Sequence, residues 1–436
     1  MNTPFLITSI LFTAACQHNM QGSQASQLPG YCEEQQQHTS LLEQCEEEGI
    51  SCEELDQLVE SIENECPELL EKSEADEHDD SLDNDETLSA QGSISYAEKL
   101  HDPSSIAHSG ESLVMVATEP LLDENTQESA FLLFEYSDAE NGWLRHESVF
   151  PYVRDNVPSP WISDRFGGTE YAYWAPAMPS ATEIYYSIYE LSNPGHACIG
   201  YATTQGSGSD ATWIDAGSPV VCTAGPESAT APVAIDPAIF ADEEGERWMV
   251  WGSHGAGIYI NRIDSDTGLL PEEVPTNFSA DVAKFHFVAN NEEGEDSATS
   301  GIEAPFVWYN NGYYYLFVNF GACCGGVSST YNIRVGRAEN PEGPYLDHDG
   351  IDMREGGGTL FLSSSDRFIG PGHAGIFKYG ENQLVFSYHF YDMEHDNPPS
   401  SEYNWASMAI RSLHFEQGWP VLGSELSGAE ILRTID

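Results

Sequence analysis

Three acidic residues and a histidine stand beside prolines at matching points of this sequence. Asp102 precedes Pro103, Asp236 precedes Pro237, Glu303 lies two before Pro305, and His373 lies two after Pro371. Carboxyl groups gathered in that number can both give and take a proton. Burial or a neighbouring charge raises the pKa of one while its partner stays ionised. Hydrolysis of a glycosidic bond needs such a pair: an acid for the departing oxygen, and a carboxylate that activates water or attacks directly. Three carboxyls supply an acid, a base and a modulator. A single Asp-Pro pair commonly does no more than start a strand or cap a turn. Three acidic positions in register across a repeat point to a site.

The register comes from the elements around them. After about Ile94 the chain is rich in Tyr, Trp and Phe, and short β-rich runs alternate with Gly, Asn, Asp and Pro turns. The strongest runs are Ser112–Thr118 (SLVMVAT), Ile184–Glu190 (IYYSIYE), Trp248–Ser253 (WMVWGS), Tyr313–Phe320 (YYYLFVNF) and Leu384–Phe390 (LVFSYHF). Roughly ten residues before each sits a proline (Pro103, Pro176, Pro237, Pro305, Pro371), and the prolines recur every 60–75 residues or so. That period leaves room for four strands and their loops. Five copies predict an all-β fold, a five-bladed β-propeller over residues 94–436. The innermost strands of a propeller line its axis, so the residues beside the prolines converge on one mouth.

The segments HDPSSI (His101–Ile106), AIDPAIF (Ala234–Phe240) and GIEAPF (Gly301–Phe306) resemble the three catalytic blocks of glycoside hydrolase family 43. YWAPAM (Tyr173–Met178), ACCGGVSSTYNIRVGR (Ala322–Arg337), GPYLDHDG (Gly343–Gly350), FIGPGHAGIF (Phe368–Phe377) and GWPVL (Gly418–Leu422) are similar to endo-1,5-α-L-arabinanases within it. The resemblance runs over residues 98–422. It implies that Asp102 is the general base, that Glu303 is the general acid, and that Asp236 raises the pKa of Glu303 and orients it. It also implies inversion at the anomeric carbon, with the two acting carboxyls roughly 6.5–9.5 Å apart. His373, in GPGH, matches a histidine that helps seat a calcium ion on the axis, although calcium prefers oxygen ligands.

Other residues are read with less help from the pattern. Trp174, beside the axial proline of its blade, is the expected sugar platform, and Trp161 is a second choice. The adjacent Cys323 and Cys324 resemble an arabinanase feature and either form a vicinal disulfide or stay reduced. Cys198 and Cys222 fall in neighbouring strand-like segments, so a bridge between them is expected. Asp264-Ser265-Asp266-Thr267-Gly268 begins like a calcium loop but reads as a turn. The sequence departs from the family pattern where WAPD reads WAPA, with Ala177, and where GSFW reads Gly252-Ser253-His254-Gly255.

Composition sets the setting. Acidic side chains number 72 against 15 basic, a formal net charge of −57, which argues against nucleic-acid partners and against docking on anionic lipid. Such charge suits a neutral substrate and a saline medium that screens it. Phe5–Ala15 is a short apolar run ending at Cys16, too short to span a bilayer, and resembles a lipoprotein-type signal peptide (residues 1–15) with Cys16 as the lipidated residue. A plain secretory signal is the alternative, and both place the protein outside the cytoplasm. Residues 16–71 carry Cys32, Cys45, Cys52 and Cys66 in an acidic, helical pattern that suggests a hairpin with nested bridges, Cys45–Cys52 inside Cys32–Cys66. Residues 72–93 are almost all acidic or small polar, the composition of a disordered spacer.

The sequence therefore predicts a monomeric, exported enzyme whose only membrane attachment is a lipid anchor, acting on arabinan or arabinoxylan. An exo-acting α-L-arabinofuranosidase or β-xylosidase is the second reading, and a non-catalytic carbohydrate-binding propeller the third. The joint presence of Asp102, Asp236 and Glu303 argues against the last.

Overall fold

The computed structural model describes residues 97–432, apart from 111, 119–130, 138–141, 147–158, 168–170, 194, 206–211, 224–231, 255, 292–300, 381–382 and 394–405. The signal segment, Cys16, the cysteine-rich segment with its expected bridges, and the acidic spacer lie outside the described residues. Gly92–Asp436 forms one unit. Among the described residues no helix is long and apolar enough to cross a membrane.

Five antiparallel sheets follow one another along the chain. The first strand, β1 (Ala97–Leu100), belongs to the last of them. Blade 1 comprises β2 (Ala107–Ser109), β3 (Ser112–Thr118), β4 (Phe131–Ser137) and β5 (Gly142–His146). A short helix, α1 (Pro160–Phe166), precedes blade 2, which holds β6 (Tyr171–Ser180), β7 (Glu183–Glu190) and β8 (Ala197–Gln205), with β9 (Thr212–Asp215) and β10 (Val221–Thr223) both on β8. Blade 3 is β11 (Ala238–Ala241), β12 (Arg247–Trp251), β13 (Ile258–Ile263) and β14 (His286–Ala289). Blade 4 is β15 (Ile302–Asn310), β16 (Tyr313–Phe320), β17 (Asn332–Ala338) and β18 (Thr359–Leu362). Blade 5 is β19 (Phe368–Tyr379), β20 (Gln383–Asp392) and β21 (Ala406–Glu416), with β22 (Trp419–Glu425) and β1 both on β21. The predicted five-bladed propeller is the observed architecture.

The five apolar runs of the sequence are the second strands of the blades: β3, β7, β12, β16 and β20. They read as continuous rather than alternating apolar stretches because both faces are covered by adjacent blades. In β16 every residue after Tyr313 is buried. Its Phe317 packs edge-on against Phe361 of its own blade and at a tilt against Phe386 of blade 5. Tight hairpins link the strands: Asn311 and Gly312, both at positive φ, turn β15 into β16, and Gln417 and Gly418 do the same for β21 and β22. Positive φ at both central residues gives the twist that two-residue hairpins need.

The ring closes by joining the two ends of the domain. β1 pairs with the start of β21 (Ala97↔Met408, Leu100↔Ala406), and β22 pairs with its far end (Leu413↔Leu422). The expected bridge between Cys198 and Cys222 is present and ties paired positions of β8 and β10. Cys323 and Cys324 are free thiols. Asp264 Oδ1 accepts from the backbone N–H groups of Asp266 and Thr267, which makes that segment a turn.

Candidate active site

One residue of each innermost segment adopts a left-handed backbone: Asp102, Ala175, Asp236, Ala304 and His373, with φ between +43° and +56°. This conformation is rare for residues with a Cβ and clusters at functional sites. In blades 1 to 4 the residue that follows is the repeat proline. In blade 5 it is Ala374, since Gly375 faces Ser387 where Phe306 faces Phe317 and Ala177 faces Tyr185. Ala374, three residues beyond Pro371, thus takes the place of the repeat proline, and His373 is the counterpart of Asp102 and Asp236. Glu303 sits one position earlier, level with His101, Trp174 and Gly372.

A ring of hydrogen bonds between blades holds these five residues. The Ala175 N–H donates to Thr118 Oγ1 (2.7 Å), Asp236 N–H to Ser187 Oγ (3.0 Å), His373 N–H to Asn319 Oδ1 (3.0 Å) and Asp102 N–H to His389 Nδ1 (3.3 Å). Each acceptor lies at the same place on the second strand of the preceding blade. In blade 3 that place is Gly252, where a Cβ would stand 2.8 Å from the Gly257 carbonyl oxygen. With no side chain available there, Asp236 itself completes the ring: its Oδ2 accepts from the Ala304 N–H (2.9 Å). The missing side chain of Gly252 explains why Asp236 points at the residue after Glu303.

Asp102 is half-buried, and Thr118 Oγ1 donates to its Oδ2 (3.0 Å). His373 Nδ1 and His389 Nδ1 stand 3.5 and 3.7 Å from its Oδ1. Burial pushes the Asp102 carboxyl up, but His373, His101, His389 and the Thr118 hydroxyl together hold it below the ordinary aspartate value. Burial pushes His389 down to about 3 and also lowers His373, so both imidazoles are neutral near pH 7. Asp102 is therefore an ionised carboxylate near pH 7.

Glu303 is buried on β15, where the buried Tyr331 hydroxyl donates to its Oε1 (2.8 Å) and His254 Nδ1 lies 3.4 Å from its Oε2. Asp236 is pushed well above the usual carboxylate range, first by burial and then by the charges of Glu303 and Asp102. The site thus pairs an ionised Asp102 with Asp236, whose carboxyl holds its proton well above the usual range. Carboxyls coupled in this way titrate as a group.

Proton retention has a cost in stability with a defined sign. An unfolded aspartate ionises near pH 4, whereas folded Asp236 stays protonated to higher pH, so the folded state loses relative stability as pH rises between those two values. Asp236→Asn keeps an oxygen for the Ala304 N–H and has no charge to bury. Its melting temperature is expected to exceed that of the wild type by a few degrees at pH 7. That gap closes below about pH 3, where the wild-type residue is protonated in both states. Thermal unfolding followed by circular dichroism at the two pH values measures it, and a gap that does not change with pH removes the effect.

The other expected contacts divide. Trp174 is half-buried at the mouth level and stacks on Tyr189 (centroids 4.5 Å apart, 21°), so one ring face is already covered. Trp161 does not serve as a platform: it is buried in α1, with its Nε1–H donating to Asp215 Oδ1 (2.9 Å). Cys323 and Cys324 lie in the loop after β16, where a hydrogen bond with the Cys323 thiol, and after it the neighbouring His101, holds the Cys324 thiol down to about 6. Ala177 lines the axial channel below the mouth, together with Pro103, Pro176, Pro237, Pro305 and His373. The donor set of that channel suits the implied calcium only as a hydrated ion. His373 offers one neutral imidazole nitrogen beside Asp102, and the proline rings, alanines and the hydroxyls of Ser104 and Ser105 in the lining do not make a full cage of oxygen ligands.

Thr118, Tyr331, His254, His101 and His389 escaped the sequence reading. One signal was available: Thr118, Ser187, Asn319 and His389 are polar residues set inside apolar runs.

The pattern of glycosyl hydrolases family 43 matches residues 152–420. The extracellular endo-alpha-(1->5)-L-arabinanase 1 of Bacillus subtilis is 33% identical over 325 residues, 74% of this chain and 87% of that one. The extracellular exo-alpha-(1->5)-L-arabinofuranosidase ArbA of Cellvibrio japonicus is 31% identical over 277 residues, 59% of this chain and 75% of that one. A crystal structure of an exo-1,5-alpha-L-arabinanase from a bovine ruminal metagenomic library superimposes with a TM-score of 0.60 at 27% identity, covering 77% of this chain and all of that one. With the propeller, its carboxyl cluster and most of the domain matched in this way, the protein belongs to glycosyl hydrolases family 43.

Proposed function

We propose that this glycoside hydrolase cleaves internal α-1,5-L-arabinofuranosidic bonds of arabinan with inversion. The observation that carries the reading is the meeting of Asp102, Asp236 and Glu303 at one mouth, with Asp102 ionised and Asp236 holding its proton well above the usual carboxylate range. Asp102 takes the proton of a water as that water attacks the anomeric carbon. Glu303 gives its proton to the departing sugar oxygen on the other face, through an oxocarbenium-like transition state. Tyr331 and the Asp236–Ala304 contact hold Glu303 in place, so Asp236 acts as the orienting and modulating carboxyl. Trp174 offers its uncovered face to a furanose ring. His373, with water, would hold the implied calcium ion, which would supply fixed positive charge near the carboxyls.

The kinship with enzymes named as extracellular arabinanases supports export. We place the mature chain at the cell surface, anchored through Cys16 and acting as a monomer. The exo reading rests on the two exo-acting relatives. Products released from debranched linear arabinan at low conversion decide between them. A ladder of short oligosaccharides whose new reducing ends appear as the β-anomer in NMR is expected. Arabinose alone assigns exo action, and no release in the presence of calcium and salt removes arabinan as the substrate.

A further inference from the structure

A second group of ligating atoms gathers at the mouth, apart from the three carboxyls. One donor atom each from His101, Cys323 and Cys324 lies within 4.8 Å of the others. His101 follows β1, and the two cysteines come from the loop after β16, so the group joins parts of the chain more than two hundred residues apart in sequence. The loop is fixed on its own account. The Ala322 N–H donates to Thr330 Oγ1 (3.0 Å), and Ser329 Oγ donates back to the Ala322 carbonyl (2.6 Å). His101 is buried, Cys323 is half-buried and Cys324 is exposed, so the group opens to solvent on one side. Both thiols are free.

We propose that His101, Cys323 and Cys324 form a binding site for a thiophilic divalent cation of the zinc and cadmium class, and that filling it inhibits the enzyme. Two thiolates and an imidazole are the ligands of three-coordinate protein zinc sites that leave a fourth position open. Sulfur donors select zinc and cadmium over calcium and magnesium, which take oxygen ligands. The site is therefore chemically distinct from the hydrated-ion position at His373. Inhibition follows because a ring nitrogen of His101 lies within 4.8 Å of an Asp102 carboxylate oxygen, so a dication fixed at the cluster stands against the carboxylate that must meet the attacking water. This second half rests on the reading of Asp102 as the base; the site itself does not. His101 also lies in a harder group of potential ligands with Asp102 and His389, which is the competing location for zinc.

The full-length enzyme, as purified and stripped with a chelator, is titrated with Cd²⁺ while thiolate-to-metal absorption is followed in the ultraviolet. It is then assayed on linear arabinan over a range of Zn²⁺ concentrations. Cys323→Ser and Cys324→Ser are treated identically. Cysteines of the N-terminal segment contribute equally to all three proteins, so the difference spectrum reports the mouth alone. Each substitution is expected to remove part of the absorption. The zinc concentration for half-inhibition, taken against each variant's own metal-free rate, should rise at least ~10-fold. Identical spectra in the three proteins overturn the site, as does a Cys323–Cys324 disulfide found by peptide mass in the purified enzyme. Lost absorption with unchanged zinc inhibition overturns the inhibitory role and moves the inhibiting zinc to Asp102 and His389. If the wild type releases nothing from arabinan, the hydrolytic reading fails, yet the cadmium titration still decides the site.

Discussion

Asp102→Asn lowers kcat on linear arabinan by about 10²–10⁴-fold and leaves KM nearly unchanged. The amide fills the same volume, and the Asp102 backbone stays pinned by its N–H bond to His389. What is lost is the lone pair that takes a proton from water as the bond breaks. The ground-state contacts to sugar survive, so the deficit falls on turnover. A companion variant makes the assignment chemical rather than merely quantitative. Asp102→Ala opens space where azide, a nucleophile that needs no base, can attack from the same face. Added azide is expected to restore turnover and to yield a β-arabinosyl azide, the inverted product. NMR of the products checks both points. An azide product of retained configuration would make Asp102 the acid/base carboxyl of a two-step retaining enzyme, because azide would then have displaced a covalent intermediate, and Asp102→Asn activity within tenfold of wild type would remove the residue from the chemistry.

Glu303→Gln gives a loss of the same order on arabinan but a much smaller one on aryl arabinofuranosides with acidic phenols. Arabinan departs as an alkoxide and must be protonated in the transition state; a nitrophenolate is stable without a proton. The substitution retains an acceptor for Tyr331, whose hydroxyl is kept protonated, and therefore donating, by its burial. A plot of log(kcat/KM) against leaving-group pKa should be nearly flat for the wild type and steep for the variant. Equal losses on both substrate types would show that Glu303 binds sugar rather than delivering a proton.

The parts of this site that were legible in the sequence are those written locally. Asp102, Asp236 and Glu303 announce themselves because each sits in a short motif at a fixed distance from a strong apolar run. That run is apolar because two blades cover it. The parts that were not legible depend on neighbours in the next blade. Proline is conspicuous, but in the fifth blade Pro371 sits in an earlier irregularity of β19, and the bulge shared with blades 2 and 4 falls at His373 and Ala374, where the others have their pre-proline residue and proline. Trp161 looked like a sugar platform because tryptophan is common at such sites. Its Nε1–H bond to Asp215, across more than fifty residues, buries it. Tyr331 was hidden inside a motif recognised for its overall likeness, with nothing to mark which member touches Glu303. The role of Gly252 was least accessible, since it acts through a side chain that it lacks.

The pairing of β1 with β21 has a further meaning for how the enzyme comes into being. Asp102 lies two residues beyond β1, early in the domain, while His373 and His389, which flank its carboxylate, arrive with the final blade. A growing or partly folded chain can contain intact early blades and still be catalytically silent. The last clasp of the ring is also the step that arms it. Mild denaturant that frees only the first strand should therefore extinguish activity while most of the β-sheet signal persists. Turnover becomes a gauge of whether the circle is closed, more sensitive than any measure of how much sheet remains.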